Sequence, residues 1–235
     1  MIIPRHSTKE LILKHDAGVM EIRQEPFSKL RLMYFQNGST SNENSVELRI
    51  ILDEGADLNC FFGMLGGMAS RLVVETRLEG IGSRVRQRTL YFGNGEQSFI
   101  MISNTVLSGR ETSAEIESKG ILAGSSQARF DGNIHIQQTA KQSKGRLDEH
   151  TLLLSPHAKM NAIPGLKIDT NDVKATHAAS MTRVDDEQLF YAESRGIEEH
   201  EAVRLIAEGF LAGLYKDMPF MENMHQLIQE KIWQL

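Results

Sequence analysis

Between residue 17 and residue 169 the chain offers short extended segments separated by turn signals, and none with the period of a helix. That absence constrains the fold more than any other feature. A parallel sheet built from βαβ units needs a helix between successive strands, so that class is excluded. Val46-Glu47-Leu48-Arg49-Ile50 alternates apolar and polar residues, and so do Asn133–Gln137 and Gly165–Asp169. Phe99–Ile102 is a short continuous apolar strand. Turns recur at Gln36-Asn37-Gly38, Asp53-Glu54-Gly55, Gly93-Asn94-Gly95 and Asp131-Gly132-Asn133. An antiparallel sandwich or barrel fits this pattern. So does a parallel β-helix, which stacks short strands in successive coils without crossover helices. Periodicity does not separate the two, and no internal repeat of fixed length stands out.

At Val184 the period changes. Asp185 is a good N-cap with Gln188 three residues on, and Gly196 fits the left-handed position after a helix end. A second helix is expected over about 198–216, with Val203, Ile206, Ala207, Phe210 and Leu214 as its apolar stripe. Pro219 would end it, and a third would run over about 220–234 with Met224, Leu227, Ile228 and Ile232 on one side. Ser7 before Leu11 suggests a short N-terminal helix. The resulting division is an N-terminal segment at 1–20, a β core at 21–183 and a helical domain at 184–235.

A net charge of −5, a pI near 5.9 and an aromatic content of 6% argue against a nucleic-acid surface. No apolar run is long enough to span a bilayer, so no membrane partner is expected. The N-terminus lacks the apolar region of a secretory signal. The single cysteine, Cys60, excludes an intramolecular disulfide and fits a reducing cytoplasm.

Cys60 lies beside Phe61 and Phe62 with no adjacent base, which favours a buried small hydrophobe over a reactive thiol. Asp148-Glu149-His150 reads as a solvated turn rather than a ligand cluster, and Asp169 and Asp172 read as turn formers rather than a catalytic pair. His135 and His157 lie in the β region near charges. Gly63–Gly67 lacks the spacing of a phosphate loop, and no Walker A sequence occurs, so the chain has no ATP site of its own. His177, just before the switch, offers a neutral imidazole suited to iron; its plainer reading is a hydrogen-bonded interface or core histidine. One bulky residue among Leu189, Phe190 and Tyr191 should remain free of the intrachain core, because three in a row cannot share one helix face.

Several segments together resemble the SufB/SufD family of iron–sulfur cluster assembly scaffolds. They are Asp131–Ile136, Leu152–Pro156, Ile163–Ile168, Thr170–Ala179 and Asp185–Ile197, the last containing Asp-Asp-Glu-Gln-Leu-Phe-Tyr and Ser-Arg-Gly-Ile. The match is strong over about 130–217 and weaker before that. The resemblance implies a mainly β fold, a right-handed parallel β-helix core with a C-terminal α-helical domain. It implies no enzymatic activity but a cytoplasmic scaffold role beside a SufC-like ABC ATPase. The chain would pair as a homodimer, or as a heterodimer with a SufB-like paralogue, and a transient iron–sulfur cluster or iron would sit at the pairing interface.

Carried over residue by residue, the resemblance puts the ATPase contact at Asp186, Gln188, Leu189, Phe190, Tyr191, Arg195 and Gly196. It puts the dimer interface at Asp172, Lys174, Thr176 and His177, with His177 as the metal ligand. Ala158 stands where the SufB branch carries a cysteine, Ala178 where it carries a glutamate beside the histidine, and Ala175 where the SufD branch carries a cysteine. The chain therefore looks like a short, SufD-like member. The alternatives are a β-helix polysaccharide-acting enzyme and a structural adaptor with no metal role.

Overall fold

The computed structural model describes residues 1–13, 18–38, 43–215 and 221–233, the stretch 221–225 by its backbone alone. The described residues form fourteen strands and then three helices. In chain order the strands are β1 (Ile2–Ile3), β2 (Thr8–Leu13), β3 (Gly18–Gln24), β4 (Lys29–Gln36), β5 (Glu43–Leu52), β6 (Asp57–Met64), β7 (Ala69–Leu78), β8 (Arg84–Gly93), β9 (Ser98–Leu107), β10 (Ser113–Leu122), β11 (Gln127–Ile136), β12 (Ser143–Leu153), β13 (Lys159–Ile168) and β14 (Val173–Arg183). The helices are α1 (Asp186–Ser194), α2 (Glu199–Tyr215) and α3 (Met221–Ile232).

Odd-numbered strands make one seven-stranded sheet and even-numbered strands the other, each strand pairing in parallel with its counterparts in the coils before and after. This is a parallel β-solenoid followed by helices, as the resemblance implied, and the sandwich and barrel fall away. Successive strands belong to different sheets, so no crossover helix is needed. The expected N-terminal helix is not formed: Ile2–Ile3 and Thr8–Leu13 are strands. Their ladders to β3 and β4 satisfy the backbone, and Ile3 and Leu13 extend the buried interior, which outweighs the local capping signal at Ser7.

The repeat absent from the sequence is present in the backbone. At one corner, one residue per coil takes the left-handed conformation: His6, Phe27, Gly55, Gly82, Glu111 and Gln142. Each donates its N–H to a carbonyl of the next coil, Gly55 to Ile81 at 2.9 Å and Glu111 to Lys141 at 2.9 Å. Only two of the six are glycine, so the position carries no residue signature. Coil length also varies, with offsets of 29 residues from Arg84 to Ser113 and 31 from Ser113 to Lys144.

Two hydrophobic clusters hold the molecule together. Inward-facing residues such as Leu32, Leu48, Phe62, Tyr91, Phe99 and Phe130 fill the solenoid. The outer face of the even-numbered sheet carries a second set, Phe61, Leu90, Phe92, Ile121 and Leu152. It is covered by Ala207, Leu211, Leu214 and Tyr215 of α2 and by Ile228 and Ile232 of α3. The stripe of α2 is wider than the expected one: Ala207 and Leu214 are buried and Ile206 and Phe210 pack against the cluster from half-buried positions, while Leu211 and Tyr215 are buried in addition. Phe210 also lies under Lys119 Nζ, 5.6 Å from its ring centre. α3 begins at Met221 and ends at Ile232; Pro219 and the ends of the expected third helix, residues 220 and 234, lie outside the described residues. Among the described residues no helix is long and apolar enough to cross a membrane.

Gly120 shows how closely the interior is filled. A Cβ there would lie 2.0 Å from carbons of the Tyr91 ring, one strand away in register. Gly120→Ala should therefore cost about 2–3 kcal/mol in urea unfolding, by overpacking of a closed site. In a Tyr91→Leu background the same change should cost clearly less, a non-additivity expected of residues in direct contact.

Candidate functional site

The solenoid ends on β13 and β14, where the residues are far more exposed than in the coils beneath. β14 pairs with β12 on one side, and its other edge meets no strand among the described residues. Its alternation splits the four expected interface residues between two faces. His177 is in register with the buried Leu147, so it lies on the inner side of the last coil, and it is exposed. It is therefore not a core histidine, and no hydrogen bond reaches its ring among the described residues. Lys174 and Thr176 alternate with it, on the outer face beside Lys144 and Arg146. Asp172 precedes the strand, and its carbonyl accepts from the Gln142 N–H at 2.6 Å.

Among the described residues, no group of three or more His, Cys, Asp and Glu side chains could hold a metal ion. Cys60 is fully buried, and desolvation pushes its thiol well above the usual range.

A second surface is formed by α1 and its ends. Asp185 is the N-cap, its Oδ1 accepting from the Glu187 N–H at 2.9 Å. At the other end Gly196, with φ of 83°, closes a Schellman motif: its N–H donates to Glu193 at 2.9 Å and that of Ile197 to Ala192 at 3.1 Å. No residue of α1 is buried. Leu189 is half-buried, while Phe190 and Tyr191 are 73% and 61% exposed. The Arg195 guanidinium lies 5.2 Å from the Tyr191 ring centre. Asp186 and Gln188 are exposed on the same helix. A groove of about 480 Å³ runs between α1 and α2, lined in part by Gln188, Tyr191, Leu205 and Ile206.

The stretch Asp148-Glu149-His150 is not the solvated turn it was expected to be. It lies inside β12, with Asp148 and Glu149 buried. Glu149 shares the inward register of Leu147 and Thr151, and that alternation was the signal its polar neighbours obscured. Its Oε1 accepts from the Tyr91 hydroxyl at 2.8 Å and from Thr151 Oγ1 at 2.6 Å, while Oε2 has no partner among the described residues. Burial pushes the carboxyl above the usual glutamate range, and the phenol of Tyr91 is raised well above its own. His150, half-buried, bonds Ser180 Oγ at 2.7 Å. On the other sheet His135 Nε2 meets Asp169 Oδ2 at 2.6 Å, and this hydrogen bond holds Asp169 below the usual carboxylate range.

The raised carboxyl of Glu149 sets a pH dependence. Its contribution is fully present below the ordinary glutamate range and is lost as pH rises through the raised folded value. Within that window the wild type should lose up to about 1.4 kcal/mol of unfolding free energy per pH unit from this group. Denaturant titrations of Glu149→Gln should show that slope removed. An unchanged slope would mean that Glu149 does not titrate between the two states.

The chain matches the family model for the SUF system FeS cluster assembly SufBD core domain over residues 2–210. It is 35% identical over 153 residues to the iron–sulfur cluster assembly protein SufD of Bacillus subtilis, covering 65% of this chain and 35% of that protein. It is 27% identical over 228 residues to a SufBD family protein of Staphylococcus epidermidis, covering 96% of this chain and 48% of that one. The chain thus spans at most about half the length of these relatives. With the model matched over nearly all of the solenoid and α2, the chain belongs to the SufBD family of iron–sulfur cluster assembly proteins.

Proposed function

We propose that this chain is a non-catalytic scaffold subunit of a SUF-type assembly complex in the cytoplasm. The observation that carries the reading is the edge of the solenoid's last strand: among the described residues no strand pairs with the outer edge of β14, and His177 is exposed on that strand. Free edge N–H and C=O groups favour addition of another strand. A second copy or a SufB-like paralogue pairing along β14 would bring a second set of ligands to His177. Iron or a nascent cluster is the cargo of that interface, and its release follows from the interface opening.

The exposed α1 surface suits a SufC-like ABC ATPase. Phe190 and Tyr191 offer two aromatic anchors beside the groove, with Arg195 stacked on Tyr191 and Asp186 and Gln188 at the rim. α2 packs on the outer face of the solenoid through Leu211 and Leu214, so movement of a docked ATPase would carry the whole solenoid with it.

Phe190→Ala and Tyr191→Ala should each weaken ATPase binding by about 2 kcal/mol, roughly thirtyfold, with unfolding unchanged because both rings are exposed. Wild-type binding by both variants in calorimetric titration with the purified ATPase would remove this face from the interface.

His177→Ala should lose iron on anaerobic reconstitution with iron and sulfide while retaining its association state in sedimentation. Equal iron uptake by the variant would leave His177 without a metal role. A wild type that stays monomeric at every concentration, alone and with a SufB-like partner, would end the edge-pairing reading.

A further inference from the structure

Lys144 on β12 and Lys174 on β14 stand side by side in register on the outer face of the even-numbered sheet, and both are exposed. Neither forms an ion pair among the described residues. Neighbouring strands lie only about 4.8 Å apart, and like charges set opposite each other in a sheet repel. Ser113 continues the same row on β10, and Arg146 and Thr176 form the next row. These side chains border a depression of about 260 Å³ that also reaches Glu115.

The other charges there are already engaged. Glu115 meets Arg86 at 3.0 Å, and Arg146 meets Asp148 at 2.5 Å. What remains is two uncompensated ammonium groups flanked by two hydroxyls, on a chain whose net charge is −5.

We propose that this depression binds a small phosphate-type oxyanion, held between Lys144 and Lys174 with Ser113 and Thr176 as hydroxyl donors. A tetrahedral dianion offers acceptors in several directions at once and neutralises both lysines, which a single carboxylate does not. The bound anion would fasten the last strand to β12 by a bridge that the backbone ladder does not supply. The site lies on the outer face. Strand addition uses the backbone edge of β14 and His177 the inner face, whereas the anion sits on the outer face between β12 and β14.

The test is calorimetric titration of the full chain with inorganic phosphate at constant low ionic strength, with sodium chloride and glycerol phosphate as parallel titrants. Wild type should bind phosphate saturably at one site. Lys144→Gln/Lys174→Gln should weaken that binding at least about tenfold, the loss expected for charged hydrogen-bond donors. Lys29→Gln/Arg31→Gln removes the same charge from the same sheet face, three strands from Ser113, and should leave it unchanged. Glycerol phosphate binding would extend the ligand class to phosphoryl esters, and its failure to bind would confine the class to the free anion. No saturable phosphate binding, an equal loss in both double variants, or an equal response to chloride would each overturn the proposal.

Discussion

Each coil of this molecule is bonded to the next through a ladder of backbone groups, and everything else rests on that stack. The ladders of the two sheets run from the first coil to the last in unbroken parallel register. At one corner a left-handed residue in every coil turns the chain and hands its N–H upward. For glycine this conformation is free, whereas for a residue such as Glu111 or Gln142 it costs about 1–2 kcal/mol. The bond each makes to the next coil offsets that cost, and side chains can add to it, as in the stacking of His6 on Phe27 at 5.2 Å. A solenoid built this way has little choice about its ends. The last strand must either find a partner or leave a row of polar groups to water.

The two faces of the even-numbered sheet divide the labour. Its inner face fills the coil. The upper part of its outer face is buried beneath α2 and α3, which fixes the helices to the barrel of coils. α1 lies outside this arrangement with no buried residue, held by its two caps and by contact with α2. A partner gripping α1 and α2 would therefore hold a rigid lever. The rows below the helices stay open to solvent and keep their charges: acid–base pairs such as Arg86 with Glu115 alternate there with lysines that form no ion pair among the described residues.

Much of this was legible in the sequence, for identifiable reasons. The strands announced themselves by alternation and by the absence of helical period, and Asp185 and Gly196 marked the first helix because capping is a local matter. Residues at the pairing edge and on α1 were placed by their match to a family rather than by pattern. Where the sequence misled, longer-range packing had prevailed. Ser7 resembles a cap, yet Ile3 and Leu13 gain more from closing the first coil. Glu149 resembles a turn residue beside Asp148 and His150, yet it points inward to Tyr91, a bond spanning 58 residues that no local window contains. The repeat escaped notice because it is written in φ angles, which tolerate His, Phe, Gly, Glu and Gln alike.

The corner residue has one more consequence. Because the coils are joined by the same backbone bonds at every level, a coil is a unit of length along the axis. Adding or removing one would shift the strand bearing His177 along the axis by one strand spacing, about 4.8 Å, relative to the first coil. The number of coils thus sets, in discrete steps, the distance along the axis between the first strand and the strand bearing His177.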